Sequence, residues 1–364
     1  MEYILTFGRN PELSLLELKI FLNSRNIGFK LLDFSELAAV LELPELDFED
    51  MISKLGGTLK IARVIDINNE ELYSGTGKKI KYGISVYSDT DTSQIKAFVK
   101  KQMKSFRLKA MLKSSKRSLP FLSPTEVLNF RLTNEGFELV VFKKYIGKTI
   151  ALYNPKEIEK RDLTRPKQRP KHMISIRLAR ILINLSGAVE DSVLLDPFCG
   201  YGILLQEAML MGLNVFGIDR SYECVNASEI NIRWLKKKYN VKKRSKIVRG
   251  DSQELSKYIK KVDYVATEPY MGPLIKKLPT KGEAIKILKE LEPMYLRVLK
   301  ELKKVVRKNI VIIAPRFRLY TGQRLSLDFD KLLKESRLKA MRGMPLIYTA
   351  PKSKMEREIW ILST

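Results

Sequence analysis

The sequence predicts an α/β protein with a doubly wound, mostly parallel sheet in its C-terminal half and smaller α+β units before it. Three observations predict this. From about residue 190, short apolar runs alternate with amphipathic helical stretches, the pattern of parallel βαβ units. Upstream, several runs alternate with the two-residue period of half-buried strands. Between the halves, "NPKEIEKRDLTRPKQRPKH" (154–172) is charged and carries Pro155, Pro166 and Pro170, so it reads as an interdomain linker.

The elements follow in order. "EYILTF" is a short strand, and Asn10-Pro11-Glu12 opens a helix with Pro11 at its first position. "KLLDFSELAAVLEL" is strand-like, and "FEDMISKLGG" is a helix stopped by Gly56-Gly57. These make a first unit, 1–60. A second, 61–153, contains the alternating runs "TLKIARVIDI" and "KYGISVYS", a basic helical stretch between Gln94 and Arg117, a helix capped by Ser123 and Glu126, and a hairpin from "FELVVFKKY" and "KTIALY". After the linker, 173–364 opens with the helix "MISIRLARILINLSG". The strands "SVLLDPF", "NVFGID", "SKIVRGD", "VDYVAT" and "NIVIIAP" then alternate with helices, and "LIYTAPKSKMEREIWILS" closes as an antiparallel hairpin.

Composition narrows the function. Lys and Arg number 67 against 41 acidic residues, a net charge of +26 over 364 residues. Such an excess points to phosphate or an anionic membrane, with a Lys-rich solvated surface as the bland alternative. Two cysteines, Cys199 and Cys224, cannot build a disulfide framework or a zinc cluster. The single histidine, His172, leaves little room for a His base or a His-rich metal site, so no metal is expected. The N-terminus lacks the marks of a signal peptide, and no run approaches the roughly 18–20 apolar residues of a membrane span. A cytoplasmic protein without membrane contact is expected.

Chemistry concentrates at four successive strand ends, where open α/β sheets bind ligands. Asp196-Pro197-Phe198-Cys199-Gly200-Tyr201-Gly202 is a glycine turn before a helix; its spacing is neither GxGxxG nor a P-loop, and a plain structural turn is the alternative. Asp219 ends the next strand and is placed to accept from ribose hydroxyls or to cap the following helix. Asp251 ends the third and could accept from an adenine amine or serve as a cap. Thr267-Glu268-Pro269-Tyr270 ends the fourth: acceptors beside a proline suit an exocyclic amine, and Tyr270 suits stacking on a ring. The order of these four features favours a nucleoside lying across the strand ends.

"DPFCGYG", "GID", "GDS" and "TEPY" together resemble the Rossmann-like class I methyltransferases that use S-adenosylmethionine, and among them the amino-methyltransferases. "GRNPELSLLEL", "LSPTEVLNF", "ELVVFKKYIGKTIALYNPKEIEKRD" and "RPKQRPKHMISIRLARILINLSG" are similar to the ferredoxin-like domain, THUMP domain and linker of archaeal and eukaryotic tRNA guanine-N2 methyltransferases. The resemblance covers nearly the whole chain. It implies a ferredoxin-like domain at 1–60, a THUMP RNA-binding domain at 61–153 and a methyltransferase domain at 173–364. It implies S-adenosylmethionine as cofactor, held by Asp196, Phe198, Gly200, Gly202, Asp219 and Asp251, and methylation of a tRNA guanosine at N2, with position 10 expected, through Thr267, Glu268, Pro269 and Tyr270. The expected partner is tRNA; a small activator subunit is left open, and the chain is expected to be a monomer.

The fourth motif departs from the family's Thr-Asp-Pro-Pro-Tyr-Gly. Anchoring on Pro269-Tyr270 puts Thr267 at the acid; anchoring on Thr267 puts Glu268 there, one methylene longer. Cys199 is read as packing, since methyl transfer to an amine needs no covalent intermediate. For RNA contact, Lys96, Lys100, Lys101, Lys104, Arg107, Lys109, Lys113, Lys116 and Arg117 lie in a stretch with no acid. Lys143, Lys144 and Lys148 extend it, and Arg316 and Arg318 are phosphate contacts or ordinary surface charges. His172 is read as a linker residue without a catalytic part. Two further readings stay open: an N-methyltransferase of this fold acting on another RNA position or on DNA, and an inactive RNA-binding homologue.

Overall fold

A computed structural model of the protein describes residues 1–72, 79–168, 174–350 and 353–364. Pro170 and His172 lie outside the described residues. The chain divides into two compact units, Met1–Leu18 with Asn26–Leu163 and Lys19–Arg25 with Thr164–Thr364.

The first unit is built on one eight-stranded sheet. Its strands are β1 (Glu2–Phe7), β2 (Lys30–Phe34), β3 (Ala38–Glu42), β4 (Thr58–Val64), β5 (Lys79–Val86), β6 (Lys109–Lys113), β7 (Gly136–Phe142) and β8 (Tyr145–Leu152), in the order β2-β3-β1-β4-β8-β7-β5-β6. β4 spans the expected boundary at residue 60, and the sheet runs on through it. Helices α1 (Pro11–Ser24), α2 (Phe48–Lys54), α3 (Ser93–Ser105), α4 (Pro124–Asn129) and α5 (Pro155–Thr164) complete this part of the chain. The expected capping box is present at α4: the Ser123 hydroxyl accepts from Glu126 N, and the Glu126 carboxylate accepts from Ser123 N.

Two expectations need correction. The basic stretch is not one helix. α3 ends at Ser105, Arg107 takes φ +55°, and Leu108 N bonds back to Met103 O at 2.9 Å before the chain runs into β6, parallel to β5. A left-handed non-glycine residue costs about 1 kcal/mol. Pairing with β5 and the packing of Leu108 and Ala110 on the core offset it. The stretch from 154 is also more than a spacer, because Pro155 opens a ten-residue helix, α5.

The second unit is a nine-stranded sheet with helices packed on it. Its elements are α6 (Ile176–Leu185), β9 (Val193–Asp196), α7 (Ile203–Leu210), β10 (Asn214–Asp219), α8 (Tyr222–Tyr239), β11 (Ser245–Arg249), β12 (Tyr264–Thr267), α9 (Lys281–Val305), β13 (Asn309–Arg318), β14 (Arg324–Ser326), α10 (Phe329–Ser336), β15 (Lys339–Ala340), β16 (Leu346–Tyr348) and β17 (Met355–Ser363). The order is β11-β10-β9-β12-β13-β17-β15, with β14 on β13 and β16 on β17. The five strands from β9 to β13 pair parallel where they adjoin, and β17 is antiparallel. The core joins Leu195, Val265, Ile310 and Ile312 of the sheet to Leu288, Leu291, Tyr295 and Leu299 of α9. The chain reverses direction across the sheet between β9 and β12. A crevice therefore opens beyond their carboxyl ends, where Asp196 and Thr267 stand.

Candidate active site

A cavity of about 860 Å³ lies at this crevice. Four strand ends supply its floor. After β9, Pro197 and Phe198 line it; after β10, Asp219; after β11, Asp251; after β12, Glu268, Pro269 and Tyr270. Asp196, Gly200, Gly202 and Thr267 do not line it and instead hold the loops that do.

Thr267 is fully buried, and its hydroxyl donates to Asp196 Oδ1 at 2.7 Å. The same oxygen accepts from Phe198 N at 3.1 Å, so the two central strand ends are tied through one carboxylate. Burial pushes the Asp196 carboxyl up to about 7; the Thr267 and Phe198 hydrogen bonds oppose this, and the charges of Asp219 and Glu268 add to it. Asp219 braces the glycine turn: its Oδ2 accepts from Gly200 N and its Oδ1 from Ser221 N, each at 2.9 Å. Each carboxylate oxygen keeps a further lone pair for a ligand. Asp251 is exposed and caps the turn Ser252–Lys257 by accepting from Gln253 N at 2.8 Å.

The two glycines of the turn do different work. A Cβ on Gly200 would meet nothing within 4 Å, so the backbone there is open to a ligand. Gly202 has φ +77°, and a Cβ on it would strike the Ser228 hydroxyl, so its glycine is needed for packing at the start of α7. Cys199 is buried, and burial holds its thiol well above the usual range. It is protonated and unsuited to nucleophilic attack.

The fourth motif now has a register. Thr267 faces the protein interior and Glu268 faces the cavity, as the alternation of a strand requires. Gly272, at φ +97°, ends the stretch where an added Cβ would come within 2.8 Å of Ile287. Thr267, Glu268, Pro269 and Gly272 thus fall on Thr, acid, Pro and Gly of Thr-Asp-Pro-Pro-Tyr-Gly, with Tyr270 and Met271 in between. Glu268 Oε1 accepts from Arg357 Nε at 2.5 Å. Arg357, Met294, Ser353, Lys354 and Met355 line the cavity too, and sequence reasoning missed them all. Arg357 lies 89 positions from its partner, and no local pattern signals it.

Residues 164–322 match the family model described as UPF0020: RMKL-like, methyltransferase domain. Unit 2 carries a methyltransferase domain. The chain is 28% identical over 261 residues to the tRNA (guanine(10)-N2)-dimethyltransferase of Pyrococcus abyssi, covering 65% of this chain and 77% of that protein. It is 25% identical over 283 residues to the protein of the same name from Methanothermobacter thermautotrophicus, covering 74% and 77%. Among solved structures it resembles TrmN from Thermus thermophilus, with a TM-score of 0.54, 12% identity and full coverage of both chains. The fold is that of the class I S-adenosylmethionine-dependent methyltransferases, and the donor set suits such a cofactor: two carboxylates on the cavity, an aromatic wall at Phe198 and open backbone at Gly200.

Of the other expected residues, Arg316 and Arg318 do not line the cavity, and Arg316 pairs with Glu356 at 3.6 Å and Glu358 at 3.9 Å. In unit 1, Lys96, Lys100, Lys101 and Lys104 are exposed on α3, and Arg107, Lys109, Lys116 and Arg117 are exposed beyond it; Lys113 is half-buried, its ammonium 5.7 Å from the Phe130 ring centroid. None of the nine forms an ion pair with a described acid. Lys143 pairs with Asp33 at 2.5 Å, and burial holds the Lys148 ammonium below its usual range. Among the described residues, no helix is long and apolar enough to cross a membrane.

Proposed function

We propose that the chain methylates the exocyclic N2 of a guanosine in tRNA, with position 10 the expected site. One observation carries this reading: Glu268, Pro269 and Tyr270 open onto the same cavity as Asp219 and Asp251. The names of the two archaeal relatives supply the substrate. When bound, S-adenosylmethionine supplies a methyl group activated on a sulfonium. Asp219 would accept from the ribose hydroxyls and Asp251 from the adenine amine, with Phe198 against the ring and the Gly200 backbone alongside. Asp196, Thr267 and Gly202 keep that floor in place.

The guanine amine is a poor nucleophile because its lone pair is delocalised into the ring. Glu268 and the main-chain carbonyls near Pro269 accept its hydrogens and so favour the pyramidal nitrogen that attacks. Tyr270 holds the ring in line by stacking. A buried, protonated Cys199 takes no part.

In this reading residues 1–60 are the ferredoxin-like portion and 61–153 the THUMP portion, joined by one sheet, with 154–172 leading to the methyltransferase domain at 173–364. The nine basic residues from Lys96 to Arg117 hold the RNA backbone by charge. The chain is read as a cytoplasmic monomer acting on tRNA, with a small activator subunit left open. The test is tritium transfer from labelled S-adenosylmethionine to unmodified tRNA, followed by mass spectrometry of the nucleosides. N2-methylated guanosine is expected. Methyladenine or methylcytosine in DNA, or cofactor binding without turnover, would overturn the reading.

A further inference from the structure

Arg357 reaches the cavity from β17, where it stands opposite Pro315 of β13 and Tyr348 of β16. Its neighbours Glu356 and Glu358 point to the other side of the strand, toward Arg316 and, for Glu356, Arg324. Arg357 is therefore aimed at the cavity by strand alternation. There its Nε donates to Glu268 Oε1 at 2.5 Å, with 17% of the Arg357 side chain and 13% of the Glu268 side chain exposed. Among the described residues, Glu268 Oε2 and the two terminal nitrogens of Arg357 have no hydrogen-bonding partner.

A glutamate at the acid position has one more torsion than an aspartate. Left alone on a cavity wall it would spread over several rotamers, and an acceptor that wanders cannot hold an amine. One guanidinium supplies the missing restraint, because a charge-assisted hydrogen bond fixes the carboxylate in one orientation.

We propose that Arg357 is the positioning residue of the methylation step: it pins Glu268 by Oε1 and thereby presents Oε2 to the exocyclic amine. This rests on the reading given above, in which Glu268 accepts from that amine. The longer acid and the arginine form one unit, the arginine supplying the restraint that a shorter aspartate has in its own backbone.

The test uses the full chain with unmodified tRNA. Single-turnover methylation gives the rate of transfer, titration with tRNA gives its affinity, and titration with S-adenosylhomocysteine reports an intact cofactor site. Arg357→Ala is expected to slow transfer roughly 100-fold while both affinities stay within about threefold of the unaltered chain. Arg357→Lys, which keeps the charge without the Nε fork, should fall between, and it carries the test should the alanine variant fail to bind cofactor. In a Glu268→Asp background the arginine has less to restrain, so Arg357→Ala should cost less than about tenfold there. An unchanged transfer rate overturns the proposal, and so does a loss confined to tRNA affinity, which would make Arg357 a simple RNA contact. Equal losses from Arg357→Ala in the unaltered chain and in the Glu268→Asp background overturn it as well. If the unaltered chain makes no N2-methylguanosine, it is the underlying reading that fails.

Discussion

Glu138 on β7 and Glu268 at the end of β12 each hold a cation away from bulk water. Glu138 and Lys60 are fully buried, and Glu138 also accepts from Ser85 Oγ at 2.5 Å and Thr149 Oγ1 at 2.7 Å. Burial alone would lower the Lys60 ammonium, but the charge and hydrogen bond of Glu138 more than offset it, and it ends raised. Both oxygens of Glu138 are occupied and its side chain is fully buried, so no ligand can reach it. Glu268 is built the other way, with one oxygen tied to Arg357 and the other turned to a cavity. A fully buried acid with both oxygens taken is structural, and an acid that faces a cavity with lone pairs to spare can work. Asp196 stands between them: it is buried and hydrogen-bonded, has no cationic partner among the described residues, and burial raises its carboxyl to about 7.

The comparison breaks most sharply at Glu138. Glu138→Ala strands the Lys60 ammonium in the sheet and should cost about 3–5 kcal/mol of unfolding free energy in chemical denaturation. Methyl transfer per folded molecule should stay level. A loss of transfer at constant stability would mean that burial with both oxygens taken does not mark a structural acid.

Asp196 gives the next effect, and its sign follows from the proton. Between the ordinary carboxyl value of 3.8 and about 7, the folded state keeps a proton that the unfolded chain gives up. This group's contribution to stability therefore falls as pH rises through that window. Asp196→Asn cannot ionise and can still accept from Thr267 and Phe198 N. In thermal melts without cofactor it should gain on the unaltered chain from about pH 4 to about pH 8, by at most about 4 kcal/mol. A parallel pH dependence in the two proteins would show that Asp196 ionises normally despite its burial.

The same contrast explains what could be read in the sequence. Strand ends at Asp196, Asp219, Asp251 and Thr267 were legible because apolar runs stop there and a doubly wound sheet gathers such ends at one crevice. The register of the fourth motif was not. Thr267 and Glu268 are adjacent, the pleat sends them to opposite faces, and composition does not say which face is the interior. Arg357 was invisible because an antiparallel strand near the C-terminus brings it to Glu268. The end of α3 was hidden as well: Arg107 turns the chain without a glycine or proline to announce it.

The smallest effects separate two tyrosines. Tyr295 is fully buried on α9 and donates to Ile313 O at 3.1 Å, whereas Tyr270 is 50% exposed at the cavity. Tyr295→Phe should remove one buried hydrogen bond, about 1 kcal/mol of stability by denaturation, and leave transfer unchanged. Tyr270→Ala should leave the melting curve in place and slow transfer to tRNA by roughly 5- to 150-fold, the 1–3 kcal/mol of one stacked base. Binding of S-adenosylhomocysteine should change little, because the cofactor groups Asp219 and Asp251 stand on other strand ends. Should transfer survive in Tyr270→Ala and fail in Met271→Ala, the stacking residue would be Met271, which holds the place of the family's tyrosine, and the contrast between a saturated interior and an open site would have to be redrawn one residue further along.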